Sequence, residues 1–211
     1  MQSPSANPKT PPSANTASLT DNMQDIEIEI QARVEKSDAL KKFLEEQANF
    51  VAENRQIDEY FTPAHKNFVE VKPIEEWCRI RDEKGKFTIN YKKWHYENGI
   101  GTYADEFETE IGDKDTSRKI FTALDLKSLV VVDKTRRKYM YKDYEIALDD
   151  VKGLGNFVEI EYKGKDIVHH KAVTDAMIQF LKDRDCGTIE INNGGYPMLL
   201  LFPQDAHYIK V

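Results

Sequence analysis

Charged side chains of like sign recur at every second position in several short segments of the sequence. The acidic sets are Glu27 with Glu29, Glu106 with Glu108 and Glu110, and Glu159 with Glu161, and the basic sets are Arg79 with Arg81, and Lys134 with Arg136 and Lys138. Carboxylates are oxygen ligands suited to Mg2+ or Mn2+, while Lys and Arg suit the oxygens of a phosphate chain. Because side chains alternate along a strand, each set is expected to project to one side of an extended segment.

Two arrangements of these polar faces remain open at this point. An ordinary antiparallel sheet with one solvated face would show the same alternation. If the polar faces instead close inward, carboxylates and cations share one water-filled lumen, in which acidic strands would hold metal and basic strands would hold phosphate. Periodicity alone does not distinguish the two.

The elements that carry these residues are predicted to be mostly short strands. Period-two patterns indicate strands at 25–34, 56–61, 77–81, 86–94, 106–111, 129–139, 144–149 and 157–162, with a last one near 198–202. Three helices are predicted: Ser37 is expected to cap one with Leu40, Phe43, Leu44 and Ala48, Thr116 to start one with Ile120, Phe121 and Leu124, and a third contains Val173, Met177, Phe180 and Leu181. Strands without long crossovers predict an antiparallel sheet or barrel.

Length and composition indicate a single domain with a tail. The chain has 211 residues and 40% apolar content, which suffices for one full core. Residues 1–23, rich in Ser, Pro and Asn, are predicted to be a disordered tail, and residues 24–211 a single domain. Cys78 and Cys186 are far apart and are expected to be free thiols.

Charge and hydropathy exclude several functional classes. A net charge of −7 argues against non-specific nucleic-acid binding, which favours a basic face. No apolar stretch approaches the ~20 residues of a membrane span, and no secretory signal pattern is present, so we expect a cytoplasmic protein with no membrane partner. Edge strands of an imperfect barrel would permit a homodimer, although no interface is indicated.

Several segments resemble, in the same order, the motifs of the CYTH domain superfamily. Residues 27–31 (EIEIQ) resemble its opening ExExK strand, 56–63 (QIDEYFTP) its DxYF strand, 77–81 (WCRIR) its LRIR strand, and 88–92 (TINYK) the strand that carries a phosphate-binding lysine. Residues 106–108 (EFE), 132–136 (VDKTR), 148–161 (LDDVKGLGNFVEIE) and 194–200 (GGYPMLL) resemble its acidic strand, its KxR strand, its LDxVxGLGxFxEIE run and its closing SYxxLL element.

The resemblance implies an α+β fold, in which an antiparallel eight-stranded β-barrel with flanking helices forms a triphosphate tunnel. It implies that Arg79, Arg81, Lys92, Lys134 and Arg136 contact a triphosphate substrate. It implies Mg2+ or Mn2+ held by Glu27, Glu29 and Glu159 or Glu161, with Glu106 or Glu108 assisting the metal or orienting lysines; Glu108 is the one we take as a metal ligand. Gln31, Lys92 and Asp149 occupy the positions implied to be catalytic.

Gln31 departs from the pattern, because the family normally has lysine there. A neutral amide cannot act as a base or supply positive charge. Arg33, two residues on, is expected to replace part of that charge, although a guanidinium is a poor general base.

The resemblance implies either of two enzyme activities on a triphosphate. The first is a class IV adenylate cyclase, which converts ATP to cyclic AMP and pyrophosphate, and the alternative is a triphosphatase acting on thiamine triphosphate or inorganic triphosphate. A third hypothesis is a triphosphate-binding module with reduced activity because of Gln31, and a purely structural barrel ranks last. Trp94 shares the face of Lys92 and is a candidate contact for a nucleobase, whereas His169 and His170 are expected to be a solvated helix cap.

Overall fold

The computed structural model describes residues 26–97, 100–164, 169–206 and 208–211. The predicted tail at 1–23 lies outside the described residues and stays a prediction. The strands are β1 (Ile26–Glu27), β2 (Glu29–Val34), β3 (Asn49–Pro63), β4 (Glu76–Glu83), β5 (Lys86–Glu97), β6 (Ile100–Ile111), β7 (Leu126–Tyr141), β8 (Tyr144–Val151), β9 (Gly155–Tyr162), β10 (Ile189–Asn192) and β11 (Tyr208–Lys210). The helices are α1 (Asp38–Gln47), α2 (Lys114–Ala123), α3 (His170–Lys182) and α4 (Gly195–Leu201), followed by a 3-10 turn at Pro203–Asp205.

All strands belong to one antiparallel sheet that curls on itself. Its order is β1-β6-β5-β4-β3-β7-β8-β9-β2-β10-β11. The segment 26–34 closes the ring, because β1 pairs with β6 while β2 pairs with β9. With β1 and β2 counted as one interrupted strand, eight strands form the ring, and β10 and β11 extend it beyond β2. The predicted antiparallel barrel with flanking helices is therefore confirmed.

A tight turn joins β4 to β5. Lys84 and Gly85, with φ of 53° and 80°, connect β4 to β5. Two consecutive positive φ values match the hairpin turn whose twist suits antiparallel strands. Hairpins of this kind form part of the sheet, while the pairings of β3 with β7, β2 with β9 and β1 with β6 join strands that are distant in the sequence.

The main hydrophobic core lies outside the ring, between the sheet and the helices. Ile28, Ile30 and Ala32 of the first segment are buried against Leu44 of α1 and Met177 of α3. Since side chains alternate across a strand, burying this face outward directs Glu27, Glu29 and Gln31 inward. A second cluster, which includes Tyr60, Trp77, Phe157 and Tyr196, packs α4 against the ring.

The predictions of the local elements were wrong at three points. The strand near 198–202 is the helix α4 instead, because a short apolar run fits either element and the turn at Gly194 and Gly195 sets the chain into a helix. Helix α2 begins at Lys114 instead of Thr116, and Asp113 caps it, since its Oδ1 accepts a hydrogen bond from the Thr116 amide at 2.5 Å. Ser37 precedes α1 as predicted but makes no side-chain cap hydrogen bond.

No helix within the described ranges is both long enough and apolar enough to span a membrane. Among the two thiols, Cys186 is buried and Cys78 is half-buried, and both are free.

Candidate functional site

The ring encloses a cavity of about 580 Å³ lined mainly by polar and charged side chains. A volume of this size suits a nucleotide-sized ligand. Of the sequence-predicted site residues, all but Asp149 line the cavity, namely Glu27, Glu29, Gln31, Arg79, Arg81, Lys92, Glu108, Lys134, Arg136, Glu159 and Glu161. The lumen interpretation of the alternating charges thus holds, and the solvated-face alternative does not.

Asp58 holds one pair of cations on β4. Its carboxylate accepts hydrogen bonds from Nε and Nη2 of Arg81 at 2.6 and 2.7 Å, and it lies 3.8 Å from Nη1 of Arg79. Although burial opposes ionisation, Arg81 and Arg79 hold the pKa of Asp58 below its usual range. Register explains the contact, because Asp58 pairs directly with Arg81 across β3 and β4. The two guanidinium groups are therefore fixed before any ligand arrives.

Asp149 holds a second pair of cations on β7. It accepts two hydrogen bonds from Arg136, at 2.8 and 2.6 Å, and lies 3.4 Å from Nζ of Lys134. The Tyr196 hydroxyl donates to the same carboxylate at 2.7 Å. Burial and the adjacent Arg136 charge lower the pKa of Lys134 to about 8. Asp149 thus lies behind the cations, where it positions them instead of facing the cavity.

The carboxylates of β1, β2 and β6 gather around Lys92. Its ammonium contacts Glu27 and lies 3.1 Å from Oε1 of Glu29 and 3.9 Å from Oε1 of Glu106. Burial raises the pKa of both Glu27 and Glu29 to about 8, against the attraction of Lys92. Despite its own burial, Lys92 has a pKa well above the usual range because of Glu27 and Glu29. Lys92 is therefore a fixed cation and unsuited to be a base.

Glu159 links the acidic and basic regions. Its Oε2 lies 2.7 Å from Nη2 of Arg136 and accepts a hydrogen bond from Nε2 of Gln31 at 3.2 Å. Although Glu159 is buried, Arg136 and Lys134 keep its pKa well below the usual range. Gln31 thus lies in the cavity wall as the opening motif predicts, with its amide committed to neighbouring side chains.

Arg33 does not replace the charge that is missing at Gln31. Its guanidinium lies 5.0 Å from the ring centre of Phe157 and 5.1 Å from that of Tyr208, and Nη2 donates to the Leu154 carbonyl at 3.2 Å. The expectation that it supplies charge to the site was wrong, because packing between two aromatic rings holds it outside the cavity lining.

The structure separates the two carboxylates between which the sequence could not choose. Glu106 accepts a hydrogen bond from Asn90 at 2.5 Å and belongs to the group around Lys92. The side chain of Glu108, our predicted metal ligand, is 45% exposed and lies 4.0 Å from Arg79. Glu106 therefore lies within the carboxylate group around Lys92, whereas Glu108 lines the cavity beside Arg79 and its role as a metal ligand stays a prediction.

Glu161 pairs with Lys163 near the carboxylate group. The ammonium of Lys163 donates to Oε1 of Glu161. Register places Glu161 opposite Glu29 across β9 and β2. Burial raises the pKa of Glu161, against the attraction of Lys163.

The donor set fits a hard divalent cation. Glu27, Glu29, Glu106 and Glu161 are buried or half-buried carboxylates beside one another, and burial raises the pKa of Glu27 and Glu29 despite the nearby Lys92. Mg2+ and Mn2+ prefer such oxygen ligands. Within the described ranges, no three acidic, His or Cys side chains already enclose a metal position. A metal would therefore compete with Lys92 for these carboxylates.

Several contributors to the site were not identified from the sequence. Asp58 lay inside the DxYF resemblance without an assigned role, and Asn192 carried no motif at all. Asn192 is 5% exposed, lines the cavity and donates to Oε1 of Gln31 at 2.5 Å. The only available signal for Asp58 was a single acidic residue within a strand pattern opposite the basic strand.

Aromatic side chains occupy one region of the cavity. Trp94 lines it with its ring 5.2 Å from Nζ of Lys92, and Trp77, which is 5% exposed, packs edge-on against Tyr60. His169 is the residue before α3, and the ring of His170 lies 4.3 Å from that of Tyr103, outside the cavity lining.

Comparison with known proteins agrees with this architecture. A sequence model of the CYTH domain matches residues 25–184. A protein from Methanocaldococcus jannaschii named "Putative adenylate cyclase" is 34% identical over 158 residues, which cover 74% of this chain and 88% of that protein. The matched region ends before β10, α4 and β11; β10 and β11 extend the same sheet, and residues of β10 and α4 line the cavity.

Solved structures share the fold. A protein from Pyrococcus horikoshii OT3 superposes with a TM-score of 0.70 at 25% identity, covering 84% of this chain and 99% of that one. A Hippeastrum protein, described as an adenylyl cyclase candidate with a dominant triphosphatase activity, has a TM-score of 0.60 at 18% identity and covers 86% of this chain and 100% of its own. From its sequence motifs, its tunnel and these similarities, this chain belongs to the CYTH domain family.

Proposed function

We propose that this protein is a metal-dependent enzyme that binds a triphosphate inside its tunnel. The main support for the proposal is that one cavity is lined both by basic side chains that buried aspartates hold in position and by several neighbouring glutamates. Arg79, Arg81, Lys134 and Arg136 present donors suited to phosphate oxygens, and guanidinium groups pair with them in a fixed geometry. Their aspartate partners hold them in place, so little ordering remains to be done on binding.

The carboxylate group is proposed to hold Mg2+ or Mn2+ through Glu27 and Glu29, with Glu159 or Glu161. When bound, the metal would neutralise charge that develops on the phosphate chain. Lys92 stays protonated and acts as a cation near the phosphates, since its pKa lies well above the usual range. Gln31 is a neutral amide that neither gives nor takes a proton. Catalysis in this site therefore rests on positioning and electrostatics.

The reaction we favour is that of a class IV adenylate cyclase. The ribose 3'-hydroxyl of ATP would attack the α-phosphorus, cyclic AMP would form, pyrophosphate would leave and the hydroxyl proton would pass to solvent. Two observations support it: the identity with the Methanocaldococcus jannaschii protein, and the presence of Trp77 and Trp94 in the cavity lining, since aromatic side chains suit contact with a nucleobase.

A triphosphatase is the alternative, in which water attacks and phosphate leaves. It is supported by the lining itself, which is charged along most of its length and would serve inorganic triphosphate without a nucleoside. The Hippeastrum neighbour, which shares the fold, carries both activities in its description. A binding module of low turnover is the remaining hypothesis, since Gln31 leaves the site without the lysine of the family motif.

Product analysis tests these alternatives. The full chain is incubated with ATP, thiamine triphosphate or inorganic triphosphate and with Mg2+ or Mn2+, and the products are separated by ion exchange. The matched control is the double variant Glu27→Gln, Glu29→Gln. Cyclic AMP with pyrophosphate, absent in the control, supports the cyclase, and phosphate release supports the triphosphatase. Measurable binding of all three compounds without any product would refute both enzyme proposals.

A further inference from the structure

A chain of hydrogen bonds runs from the cavity wall into the C-terminal segment. Nε2 of Gln31 donates to Glu159 at 3.2 Å, and Oε1 of Gln31 accepts from Nδ2 of Asn192 at 2.5 Å. Oδ1 of Asn192 in turn accepts from the backbone amide of Gly194 at 3.2 Å. Gly194 directly precedes α4, so the chain ends at the start of that helix.

The direction of this chain is set by its two ends. Glu159 forms an ion pair with Arg136, whose Nη2 lies 2.7 Å from its Oε2, and a carboxylate only accepts hydrogen bonds. The Gly194 amide only donates. Between them, Gln31 must present its nitrogen to Glu159, and Asn192 must present its oxygen to Gly194. The contact between the two amides is therefore an Asn192 donor against a Gln31 acceptor, with no alternative orientation.

A second connection fastens the same helix to the same wall. Tyr196 of α4 donates to Asp149, which holds Arg136, and Arg136 also contacts Glu159. These two connections together tie residues 192–197 to the cavity lining at Glu159. We call residues 192–197 the C-terminal wall. Within this wall, Asn192, Gly195, Tyr196 and Pro197 line the cavity, and Tyr196 is 3% exposed.

We infer that Gln31 and Asn192 are a matched pair of positioning residues that fix Glu159 and the C-terminal wall around the ligand site. The inference rests on the proposed function, because it treats the cavity as a triphosphate site. It gives Gln31 a role that differs from loss of the motif lysine: the neutral amide is what the wall of this chain requires. Asn192 lies beyond the matched family region, at 25–184.

A lysine at position 31 conflicts with this arrangement. Its ammonium could donate to Glu159 but has no acceptor for Asn192. Asn192 would have to turn its oxygen towards the ammonium, which would direct its NH2 group at the Gly194 amide and set donor against donor. An aspartate at position 192 removes the conflict, because a carboxylate accepts from both the ammonium and the Gly194 amide. The pair is therefore expected to exchange only together.

The test compares Gln31→Lys, Asn192→Asp, the double variant and the natural protein. Asn49→Asp, at an exposed position at the start of β3, is the control for an added negative charge. Affinity for inorganic triphosphate is measured by titration calorimetry at 25 °C, where circular dichroism shows each variant to be folded. Thermal unfolding without ligand is the second readout.

Charge alone predicts that Gln31→Lys binds the anion more tightly, whereas positioning predicts weaker binding. We expect each single substitution to raise Kd about tenfold, the effect of losing about one hydrogen bond, and to lower Tm by about 2–4 °C. The double variant is expected to return to within about threefold of the natural Kd, because the lysine and the aspartate again satisfy each other. Such a non-additive result is how a double-mutant cycle detects coupling between contacting residues. Asn49→Asp is expected to leave the Kd unchanged.

Two results would overturn the inference while leaving the proposed function intact. One is tighter triphosphate binding by Gln31→Lys alone, and the other is additive losses in the double variant. If no variant and not even the natural protein binds triphosphate, the proposed function fails and this inference fails with it. If the natural protein binds but the substitutions act independently, only the matched pair fails.

Discussion

Replacing Asp149 by asparagine removes the negative charge that holds two cations of the tunnel. The Asp149 side chain is fully buried and accepts from Arg136 at 2.8 and 2.6 Å and from Tyr196 at 2.7 Å, with Lys134 at 3.4 Å. Asparagine offers one acceptor oxygen and sets its NH2 group against donors. Loss of one partner of a buried ion pair costs about 3–5 kcal/mol, since the other charge is left without compensation.

The chain supplies a matched control at its surface. Asp133 accepts two hydrogen bonds from Arg55, at 2.8 and 2.7 Å, but the Arg55 side chain is 65% exposed. An exposed pair of this kind contributes little to stability, because water solvates the charges when they part. Asp133→Asn therefore keeps the chemistry of the change and removes only its burial.

Thermal unfolding by circular dichroism, at pH 7.5 without ligand, compares the two variants. For a chain of this size each kcal/mol shifts Tm by about 2–4 °C, so Asp149→Asn is expected to lower Tm by roughly 10 °C and Asp133→Asn by at most about 4 °C. Equal small shifts in both variants would refute the assignment of Asp149 as the buried counterion.

Three further predictions concern titration of the tunnel. Because the folded pKa of Glu27 and Glu29 is raised to about 8 from 4.5, their contribution to stability is present below pH 4.5 and is lost as pH rises to 8. The free energy of unfolding, measured with urea in the presence of a chelator, should therefore decrease between pH 5.5 and 8.5. The decrease should be smaller in the double variant Glu27→Gln, Glu29→Gln, and the same decrease in the double variant would contradict the prediction. The affinity for Mn2+ should rise over the same pH range, and binding should release protons. Calorimetry in two buffers with different heats of ionisation detects this release. Binding without proton release would count against these carboxylates as ligands. Because the pKa of Lys134 is lowered to about 8, this side chain should lose its charge above that pH, and the affinity of the protein for triphosphate should fall. The variant Lys134→Arg should keep its affinity up to pH 9.5. If affinity fell with pH in the same way in both proteins, Lys134 would be excluded as the cause.

The fold was predictable because alternation along a strand is a local property. The segment 27–31 shows which side chains share a face, and like charges at every second position indicated a lumen once the motif order was recognised. The strands at 77–81 and 86–94 lie within β4 and β5, and joining them needs only a tight turn. These inferences depend on neighbours in the sequence, and the structure confirms them.

Contacts set by distant pairing were not predictable in the same way. Lys92 donates a hydrogen bond to Glu29, 63 residues away in the sequence, and its role as a fixed cation depends on that contact. Asp149 faces Arg136 because β7 and β8 place them in register, which a motif does not convey. The contact of Asn192 with Gln31 spans 161 residues. Helix α4 was missed because seven mostly apolar residues carry no period long enough to distinguish a helix from a strand.

The central claim is that the tunnel cations bind a triphosphate. Titration calorimetry of inorganic triphosphate into the natural protein, Arg79→Met and Arg55→Met tests it most directly, since Arg79 lines the cavity and Arg55 lies in an exposed surface pair. We predict saturable binding to the natural protein, about tenfold or greater weakening in Arg79→Met, as expected for a lost charge-assisted contact, and no change in Arg55→Met. Absence of binding to the natural protein, or equal affinity in all three proteins, would contradict the account.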